Sequence, residues 1–246
     1  MRVNDSLNGP GGFTLIEMIM VIVIIGILAT IATINLGSTL ETTKYEATKA
    51  ELDALARAIA GNPETHVAGA RGDFGYVGDV GALPPDLDAL TTNPGYATWD
   101  GPYISADFDP DGFKKDAWGM DYVYFGATLR SVGSGSNIDK VIAPDVNDLL
   151  INTVYGCLLD AGGNPPGGTY ADSISVELPY PDGSGGIAVA RVTPAADGYF
   201  TLAPIPMGNR ALRVVFVPEH DTTSINISVC PGKATLINVT LTTDLW

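Results

Sequence analysis

Histidine and cysteine are scarce in this sequence of 246 residues, which contains two of each. The two cysteines are far apart and form no C-x-x-C pair, so a thiolate metal site or a redox dithiol is not expected. Neither His66 nor His220 has a second metal ligand or a nucleophile near it in sequence, and we interpret both as surface or packing residues. The G-x-S-x-G, P-loop and H-E-x-x-H patterns are also missing. The sequence therefore predicts that the protein is not an enzyme.

Basic residues are few as well. Lysine and arginine together number 13 against 28 aspartates and glutamates, which gives a formal net charge of -15. A surface of this sign repels the phosphates of nucleic acids and the headgroups of anionic membranes. We therefore expect no nucleic-acid partner.

The sequence does contain one long hydrophobic run near its start. No charged residue occurs from Met18 to Ile34, and with Phe13 to Ile16 the run is long enough to span a bilayer as a helix. Its apolar residues fall on every face of such a helix, which argues against a buried soluble helix with one apolar stripe. A cleaved secretory signal is also disfavoured, because no A-x-A site follows the run. We therefore predict a transmembrane or filament-core segment over residues 13–34.

The pattern beyond this run predicts that the helix continues. Leu52, Leu55 and Ile59 recur at the spacing of one helix face, and a Gly-Asn-Pro sequence at 61–63 supplies a stop. One helix over residues 13–60 would be about 72 Å long at a rise of about 1.5 Å per residue. Its first half is suited to lipid or to other apolar helices, and its amphipathic second half is suited to packing on a globular domain.

The start of the helix carries the motif G-F-T-L-I-E at residues 12–17. This motif, with the uncharged run after it, resembles the class III signal of type IV prepilins and type II secretion pseudopilins. The resemblance implies a leader peptide over residues 1–12, which a membrane-bound prepilin peptidase cleaves between Gly12 and Phe13 before it N-methylates Phe13. It also implies a precursor in the cytoplasmic (inner) membrane and a mature subunit in a periplasmic, extracellular or cell-surface filament.

Glu17 is the one acid in this apolar segment. An unpaired carboxylate in a bilayer is costly or becomes protonated, whereas a paired one is tolerated. Cleavage creates an ammonium group on Phe13, and a neighbouring subunit staggered along a filament presents its own ammonium directly to Glu17. We therefore predict that Glu17 is the assembly contact of a helical homo-oligomer that membrane assembly machinery builds.

Residues 61–148 contain short β-prone runs between turn residues, a pattern that predicts a small antiparallel sheet covering the apolar face of the helix. We interpret the aromatic residues of this region as core residues rather than as a platform for a sugar. The region resembles the major pseudopilin of type II secretion in three motifs: G-P-Y at 101–103, K-D-A-W-G at 115–119 followed by Tyr122 and Tyr124, and S-V-G at 131–133. Ala117 stands where that family usually has proline. The resemblance covers Phe13 to about Asp148 and implies a pilin-like globular domain.

A D-x-D-x-D-G pattern in this region contains three acidic side chains: Asp107, Asp109 and Asp111. Oxygen ligands on alternate residues before a glycine turn are typical of the first half of an EF-hand calcium loop. The twelfth position of such a loop holds Trp118 instead of a bidentate glutamate, so a solvated acidic turn is the alternative. Pseudopilins bind calcium nearer the end of this domain, where the chain offers Asp139, Asp145 and Asp148. Calcium is the one cofactor that the sequence suggests.

From residue 149 onward, seven short strand candidates alternate with turn residues. This spacing predicts an antiparallel β-sandwich over residues 149–246. The stretches Y-G-C-L-L-D-A-G-G-N-P, T-P-A-A-D-G-Y-F-T-L-A-P-I-P-M-G and A-L-R-V-V-F-V resemble the carboxypeptidase regulatory-like or transthyretin-like domain, in which Asp197 and Gly198 form a tight turn. The resemblance implies a binding or supporting role and names no ligand.

Two cysteines lie in this C-terminal region. Cys157 falls in the first predicted strand and Cys230 at the end of the sixth. Outside the cytoplasm, a disulfide between them is favoured over two free thiols.

Together these patterns predict an α+β protein, with a long N-terminal helix packed on a small antiparallel sheet and an antiparallel β-sandwich after it. The predicted function is that of a structural subunit of a type IV pilus-like or type II secretion pseudopilus-like filament. The bulk of the sandwich favours a surface filament over a confined pseudopilus. The alternative is a membrane-anchored adhesion protein, non-polymerising or located at a filament tip, that binds a ligand through the sandwich.

Overall fold

A computed structural model describes residues 12–105, 111–218 and 221–242, and for residues 31–36 and 221 it describes the backbone alone. The long helix α1 spans Leu15–Ala60. The chain divides into two compact units between Glu46 and Ala47, so α1 contributes residues to both. The α+β fold class predicted from the sequence is confirmed.

The end of α1 is fixed by a glycine and an arginine. Gly61 has a φ of +75°, and a Cβ at this position would lie 2.4 Å from the carbonyl oxygen of Asp73. Arg71 donates hydrogen bonds from Nη2 to the carbonyl oxygens of Ala60 and Gly61. These carbonyls have no partner within the helix, so the guanidinium supplies the donors that they lack. The predicted stop at residues 61–63 is confirmed.

The first hydrophobic core of the second unit forms on the predicted face of α1. Leu52, Leu55 and Ile59 are almost completely buried. They belong to the same cluster of buried residues as Tyr76 and Val80 of the short helix α2, which spans Gly75–Val80. The amphipathic half of α1 is therefore held by burial of its apolar face, which stabilises a helix more than its intrinsic propensity does.

A three-stranded antiparallel sheet completes this middle region. Its order is β3-β4-β5, with β3 at Val123–Phe125, β4 at Thr128–Ser131 and β5 at Ile138–Val141. The smaller elements are the hairpin β1 His66–Val67 and β2 Ala70–Arg71, the helix α3 Val146–Leu150, and 3-10 turns at Asp88–Leu90 and Gly112–Lys114. The small antiparallel sheet predicted for this region is confirmed.

Two sheets form the C-terminal region. The first has the order β11-β10-β7-β8, and in the second β6 pairs with β9, β12 and β13. Their strands are β6 Asn152–Leu159, β7 Ile174–Pro181, β8 Ile187–Val192, β9 Tyr199–Ile205, β10 Gly208–Phe216, β11 Asp221–Val229, β12 Ala234–Leu236 and β13 Val239–Thr240, with the short helix α4 at Gly167–Tyr170. Inward side chains of both sheets share the second hydrophobic core. All seven predicted strand segments are strands, and the two sheets form a sandwich.

The last strand segment pairs differently from an all-antiparallel sandwich. β12 and β13 both run parallel to β6. The segment is interrupted between them, where the carbonyl oxygen of Ile237 would lie only 1.7 Å from a Cβ on Gly156. A side chain at residue 156 would block this close approach, so glycine lets the last segment follow β6.

The middle region and the sandwich are joined by hydrogen bonds within one compact unit. Met207 donates from its backbone nitrogen to the carbonyl oxygen of Leu149, and Ser228 donates from Oγ to the carbonyl oxygen of Arg71. Met207 lies between β9 and β10, yet its buried side chain belongs to the first core. The boundary between domains at residues 148 and 149 stays a prediction, because the unit from Ala47 onward is compact as a whole.

Candidate functional site

The N-terminal motif forms a capping box at the start of α1. Thr14 donates from its backbone nitrogen and from Oγ1 to Glu17 Oε2, each at 3.3 Å, and the backbone nitrogen of Glu17 donates to Thr14 Oγ1 at 3.3 Å. A threonine followed three residues later by a glutamate satisfies helix N–H groups that have no partner within the helix. The Glu17 carboxylate therefore also lies where the helix dipole favours negative charge.

Thr14 is a residue that the sequence interpretation missed. The T-L-I-E sequence at residues 14–17 is itself a capping-box pattern, so the signal was present. Glu17 therefore has hydrogen-bond partners within its own chain. Gly12 and Phe13 precede the helix in extended chain, so the predicted cleavage site lies outside regular structure.

Apolar side chains at the start of α1 are exposed to an unusual degree. From Phe13 to Leu28 the large hydrophobic side chains are between 45% exposed, at Val21, and 79% exposed, at Leu15. Contiguous apolar surface of this kind marks a contact with lipid or with other protein chains.

None of the helices in the described part of the chain combines the length and hydropathy needed to cross a membrane. The predicted segment 13–34 includes residues 31–34, whose side chains lie outside the described part, and its membrane-spanning role stays a prediction.

The motifs at 115–119 and 131–133 meet around one buried carboxylate. Asp116 Oδ1 accepts hydrogen bonds from the backbone nitrogens of Trp118 and Met120, both at 3.0 Å. Asp116 Oδ2 accepts from Ser131 Oγ at 2.6 Å and from the backbone nitrogen of Gly133 at 3.0 Å. A Cβ at residue 133 would lie 2.5 Å from Oδ2, which accounts for the glycine. Asp116 thus fixes the turn before β3 against the end of β4.

The same turn is attached to α1 by polar contacts. The backbone nitrogen of Ala117 donates to Thr48 Oγ1 at 3.1 Å, and Tyr122 donates from its hydroxyl to Glu51 Oε2 at 2.6 Å. Proline has no N–H, so a proline at residue 117 would leave the Thr48 hydroxyl without this donor. Ala117 therefore makes a hydrogen bond that a proline at this position could not make.

The aromatic residues of the middle region pack as core residues, as predicted. Trp99 donates from Nε1 to the carbonyl oxygen of Ala89, and its ring meets the Tyr103 ring edge-on at 5.7 Å. Tyr103 in turn donates to Asp79 Oδ2 at 2.8 Å. Burial raises the pKa of the Asp79 carboxyl, and the hydrogen bond from Tyr103 opposes this effect. The G-P-Y motif is thereby joined to α2.

The residues predicted to bind calcium do not form one cluster among the described residues. Asp107 and Asp109 lie outside the described part, whereas Asp111 pairs with Lys114 at 2.8 Å. Asp139 pairs with Arg130 at 2.6 Å, and Asp145 caps α3 through the backbone nitrogen of Asn147. Among the described residues, no three Asp, Glu, His or Cys side chains form a group that could hold a metal ion.

Asp139, Asp145 and Asp148 form no such group, and the first two have partners in Arg130 and in the backbone of α3. Calcium binding at these residues stays a prediction. Calcium binding by the loop at residues 107–111 stays a prediction.

The predicted disulfide is not formed, since Cys157 and Cys230 are both free thiols. The register of β12 on β6 gives the reason. Ala234 pairs with Thr153, so Cys230 lies four residues before that pair while Cys157 lies four residues beyond it. The two cysteines therefore lie on opposite sides of the Ala234–Thr153 pair along the strand direction. The four residues from Thr153 to Cys157 already span about 13 Å, at a strand rise of about 3.3 Å per residue. Disulfides require Cα atoms within about 7 Å of each other.

Comparison with known proteins supports the interpretation of the N-terminal segment. No curated protein shows significant similarity to this chain. Residues 8–33 match the family model described as the prokaryotic N-terminal methylation motif. The match includes Gly12, Phe13, Thr14 and Glu17, which form the predicted cleavage site and the capping box. The chain thus carries an N-terminal methylation motif consistent with a type IV pilin-like class III signal.

Proposed function

We propose that this protein is a structural subunit of a type IV pilus-like or type II secretion pseudopilus-like filament. The observation that carries the proposal is the N-terminal methylation motif at residues 8–33. The motif points to a precursor that a prepilin peptidase cleaves after Gly12 and N-methylates at Phe13. It also points to a structural role rather than to an enzyme. The precursor would be anchored in the cytoplasmic membrane, and the mature chain would join a periplasmic or cell-surface filament.

The exposed apolar surface from Phe13 to Leu28 supports assembly through the helix. In a precursor this surface would be covered by lipid, and in a filament by the same segments of neighbouring copies. Moving this surface from lipid to neighbouring helices replaces one apolar environment by another. Burial of apolar area alone therefore contributes little free energy to assembly and does not fix how the helices align. A specific polar contact is therefore needed to define the stagger between subunits.

Glu17 is suited to that role. In the described structure its carboxylate makes only long hydrogen bonds of 3.3 Å to Thr14. Cleavage would place a new ammonium on Phe13, and a staggered neighbour would bring its ammonium to this carboxylate. An ion pair in an apolar core is strongly favoured over two separated charges, because each unpaired ion is costly to desolvate.

Two substitutions separate the charge of Glu17 from its capping role. Glu17→Gln keeps a side chain that can accept the Thr14 hydrogen bonds but removes the charge. Thr14→Val removes the cap hydroxyl and keeps the carboxylate. We expect both variants to enter the membrane, Thr14→Val to assemble, and Glu17→Gln to give few or no filaments.

The measurement is electron microscopy of sheared surface material or of filaments from a reconstituted system, with mass spectrometry of the N-terminal peptide. A peptide that begins with methylated Phe13 inside long fibres supports the proposal. An uncleaved leader on a monomeric chain would overturn it. Normal filaments from Glu17→Gln, with defective ones from Thr14→Val, would assign Glu17 a capping role alone.

The second candidate function is a membrane-anchored or tip-located binding protein. A cavity of about 710 Å³ in the unit from Ala47 onward favours it, since this is a usual size for a ligand pocket. Filament length separates the two candidates. A main structural subunit forms long homopolymers, whereas a tip protein is found once per fibre and a non-polymerising protein is found in none.

A further inference from the structure

Among the described residues, the outer face of the second sheet carries no charged side chain. Buried and outward positions alternate along its strands, as the burial of β6 and β9 shows. The outward positions are the odd-numbered residues of 153–159 on β6 and of 199–203 on β9, and the even-numbered residues of 234–240 along β12 and β13. This array is called the uncharged face below. The charged residues next to these strands in sequence lie beyond the strand ends, and they are Asp160, Asp197 and Lys233.

The outer face of the first sheet is different. Arg191 of β8 donates from Nε to Oε1 of Glu177 on β7 at 2.8 Å. Glu177 also pairs in register with Arg213 of β10. These three side chains alternate with the buried residues of the second core, so they point away from it. Of the two outer faces of the described sandwich, only that of the second sheet is therefore uncharged.

The centre of the uncharged face is apolar and exposed. Leu236 is 58% exposed and Tyr199 is 49% exposed. Tyr155 lies between them, because it pairs in register with Leu236 on β12 and its ring centroid lies 6.5 Å from that of Tyr199 on β9. Contiguous apolar side chains on a surface mark a contact with another molecule.

The net charge of the chain restricts which molecule that is. At -15, two copies repel each other wherever their acidic surfaces approach. The repulsion is weakest where two uncharged faces meet. The polar groups of this face are hydroxyls and one amide, Asn238, which both donate and accept hydrogen bonds. The face is therefore complementary to itself, as a contact between identical patches of two copies requires.

The uncharged face is small for an interface. From Thr153 to Leu159 it is about 20 Å long, and its three strands span about 10 Å. Stable interfaces bury about 800 Å² on each partner, so a contact through this face is weak between two isolated chains. It becomes stronger where many copies are linked in a row, because linked contacts act together.

We propose that the uncharged face packs on the same face of a second copy. The two sheets would lie about 10 Å apart, with the central strand β6 of one copy near β6 of the other. Cys157 is on β6, so two copies of Cys157 would lie close together, but farther apart than the roughly 7 Å between Cα atoms that a disulfide allows. The contact uses no residue of the N-terminal helix, so it does not depend on the proposed filament.

The test is crosslinking of the full chain in detergent micelles with a short bismaleimide, which joins two thiols. Cys230→Ser leaves Cys157 as the only thiol, and Cys157→Ser leaves Cys230. The second chain is the matched control, because both residues are half-buried free thiols and Cys230 lies outside the uncharged face. We expect the chain with Cys157 to give crosslinked dimer in an amount that rises with protein concentration, and the control to give little. No filament is needed, so a failure here leaves the proposed function untouched.

Leu236→Glu in the chain with Cys157 tests the absence of charge. Two copies would then oppose carboxylates across the contact, and like charges in an interface cost several kcal/mol, so the yield of dimer should fall at least about tenfold. Ile187→Glu is the matched control, because Ile187 is 60% exposed on β8 of the other sheet. This variant should crosslink as its parent does.

Three results would overturn the proposal. The first is equal crosslinking of the two single-cysteine chains, and the second is equal crosslinking of Leu236→Glu and Ile187→Glu. The third comes from labelling with N-ethylmaleimide, which reacts with one thiol. A Cys157 that is labelled but never crosslinked has no second copy beside it, and one that resists labelling is covered by another segment or molecule.

Discussion

Asp116→Asn is expected to lower the free energy of unfolding by about 2–3 kcal/mol. Asparagine keeps an acceptor for the backbone nitrogens of Trp118 and Met120, but it places an NH₂ group where Oδ2 accepts from Ser131 and Gly133. The Ser131 hydroxyl can turn and accept, whereas the Gly133 N–H then faces a second donor. One hydrogen bond to a charged group contributes about 1.5–3 kcal/mol, and loss of the charge weakens the two that remain.

The same substitution should change the pH dependence of stability. Burial disfavours the ionised form of Asp116, but hydrogen bonds from Ser131, Met120, Gly133 and Trp118 together outweigh it and hold the pKa of the carboxyl below its ordinary value. The folded chain therefore binds fewer protons here than the unfolded chain does. The stabilisation is present above the ordinary aspartate pKa, and it is lost as the pH falls from that value toward the folded pKa. The gap between wild type and Asp116→Asn should thus shrink below about pH 4.

Urea denaturation of the full chain in mild detergent, followed by tryptophan fluorescence, measures both effects. Trp118 lies in the turn that Asp116 organises, so it reports on the affected region. Asp145→Asn is the matched control, because asparagine caps a helix about as well as aspartate does and should cost only a few tenths of a kcal/mol. The reasoning is refuted if Asp116→Asn is as stable as this control, or if its deficit does not change on acidification.

Three further predictions concern the remaining contacts. Ala117→Pro removes the donor to Thr48 and should lower stability by about 1 kcal/mol, whereas Ala117→Ser should not; equal urea midpoints for the two variants would contradict this. Thiol titration of the denatured chain should find two free thiols, those of Cys157 and Cys230, both with and without reductant. Fewer than two free thiols without reductant would show that the disulfide forms. Calorimetry of the EDTA-treated chain should show Ca²⁺ binding that Asp109→Asn weakens; no heat in the wild type would eliminate the calcium loop.

Local periodicity explains which elements were predictable. The face of Leu52, Leu55 and Ile59 repeats along one helix, so sequence spacing alone indicates what it buries. The seven strand segments of the sandwich could be predicted for the same reason, because apolar and polar side chains alternate within each short segment. The stop at Gly61 follows from a conformation that glycine adopts more readily than any other residue.

Contacts between distant segments explain what was missed. The parallel pairing of the last segment with β6, and with it the separation of Cys157 from Cys230, depends on a register set across about eighty residues of chain. The cavity beside Arg210 depends on docking of two regions, which no local pattern encodes. Thr14 was missed for another reason, because T-L-I-E serves as a helix cap and as part of a processing signal at once.

Because of Met207, replacing the C-terminal sandwich by a foreign domain would destabilise the middle region. Its backbone belongs to the connection between β9 and β10, but its side chain fills the core beneath α1 and α2. Cutting the chain at residue 148, or grafting a foreign passenger domain there, would leave an empty space in that core, and losing such a side chain typically costs about 2–5 kcal/mol. A chimaera that carries another domain in place of this one would therefore need a side chain that fills the same space in the core.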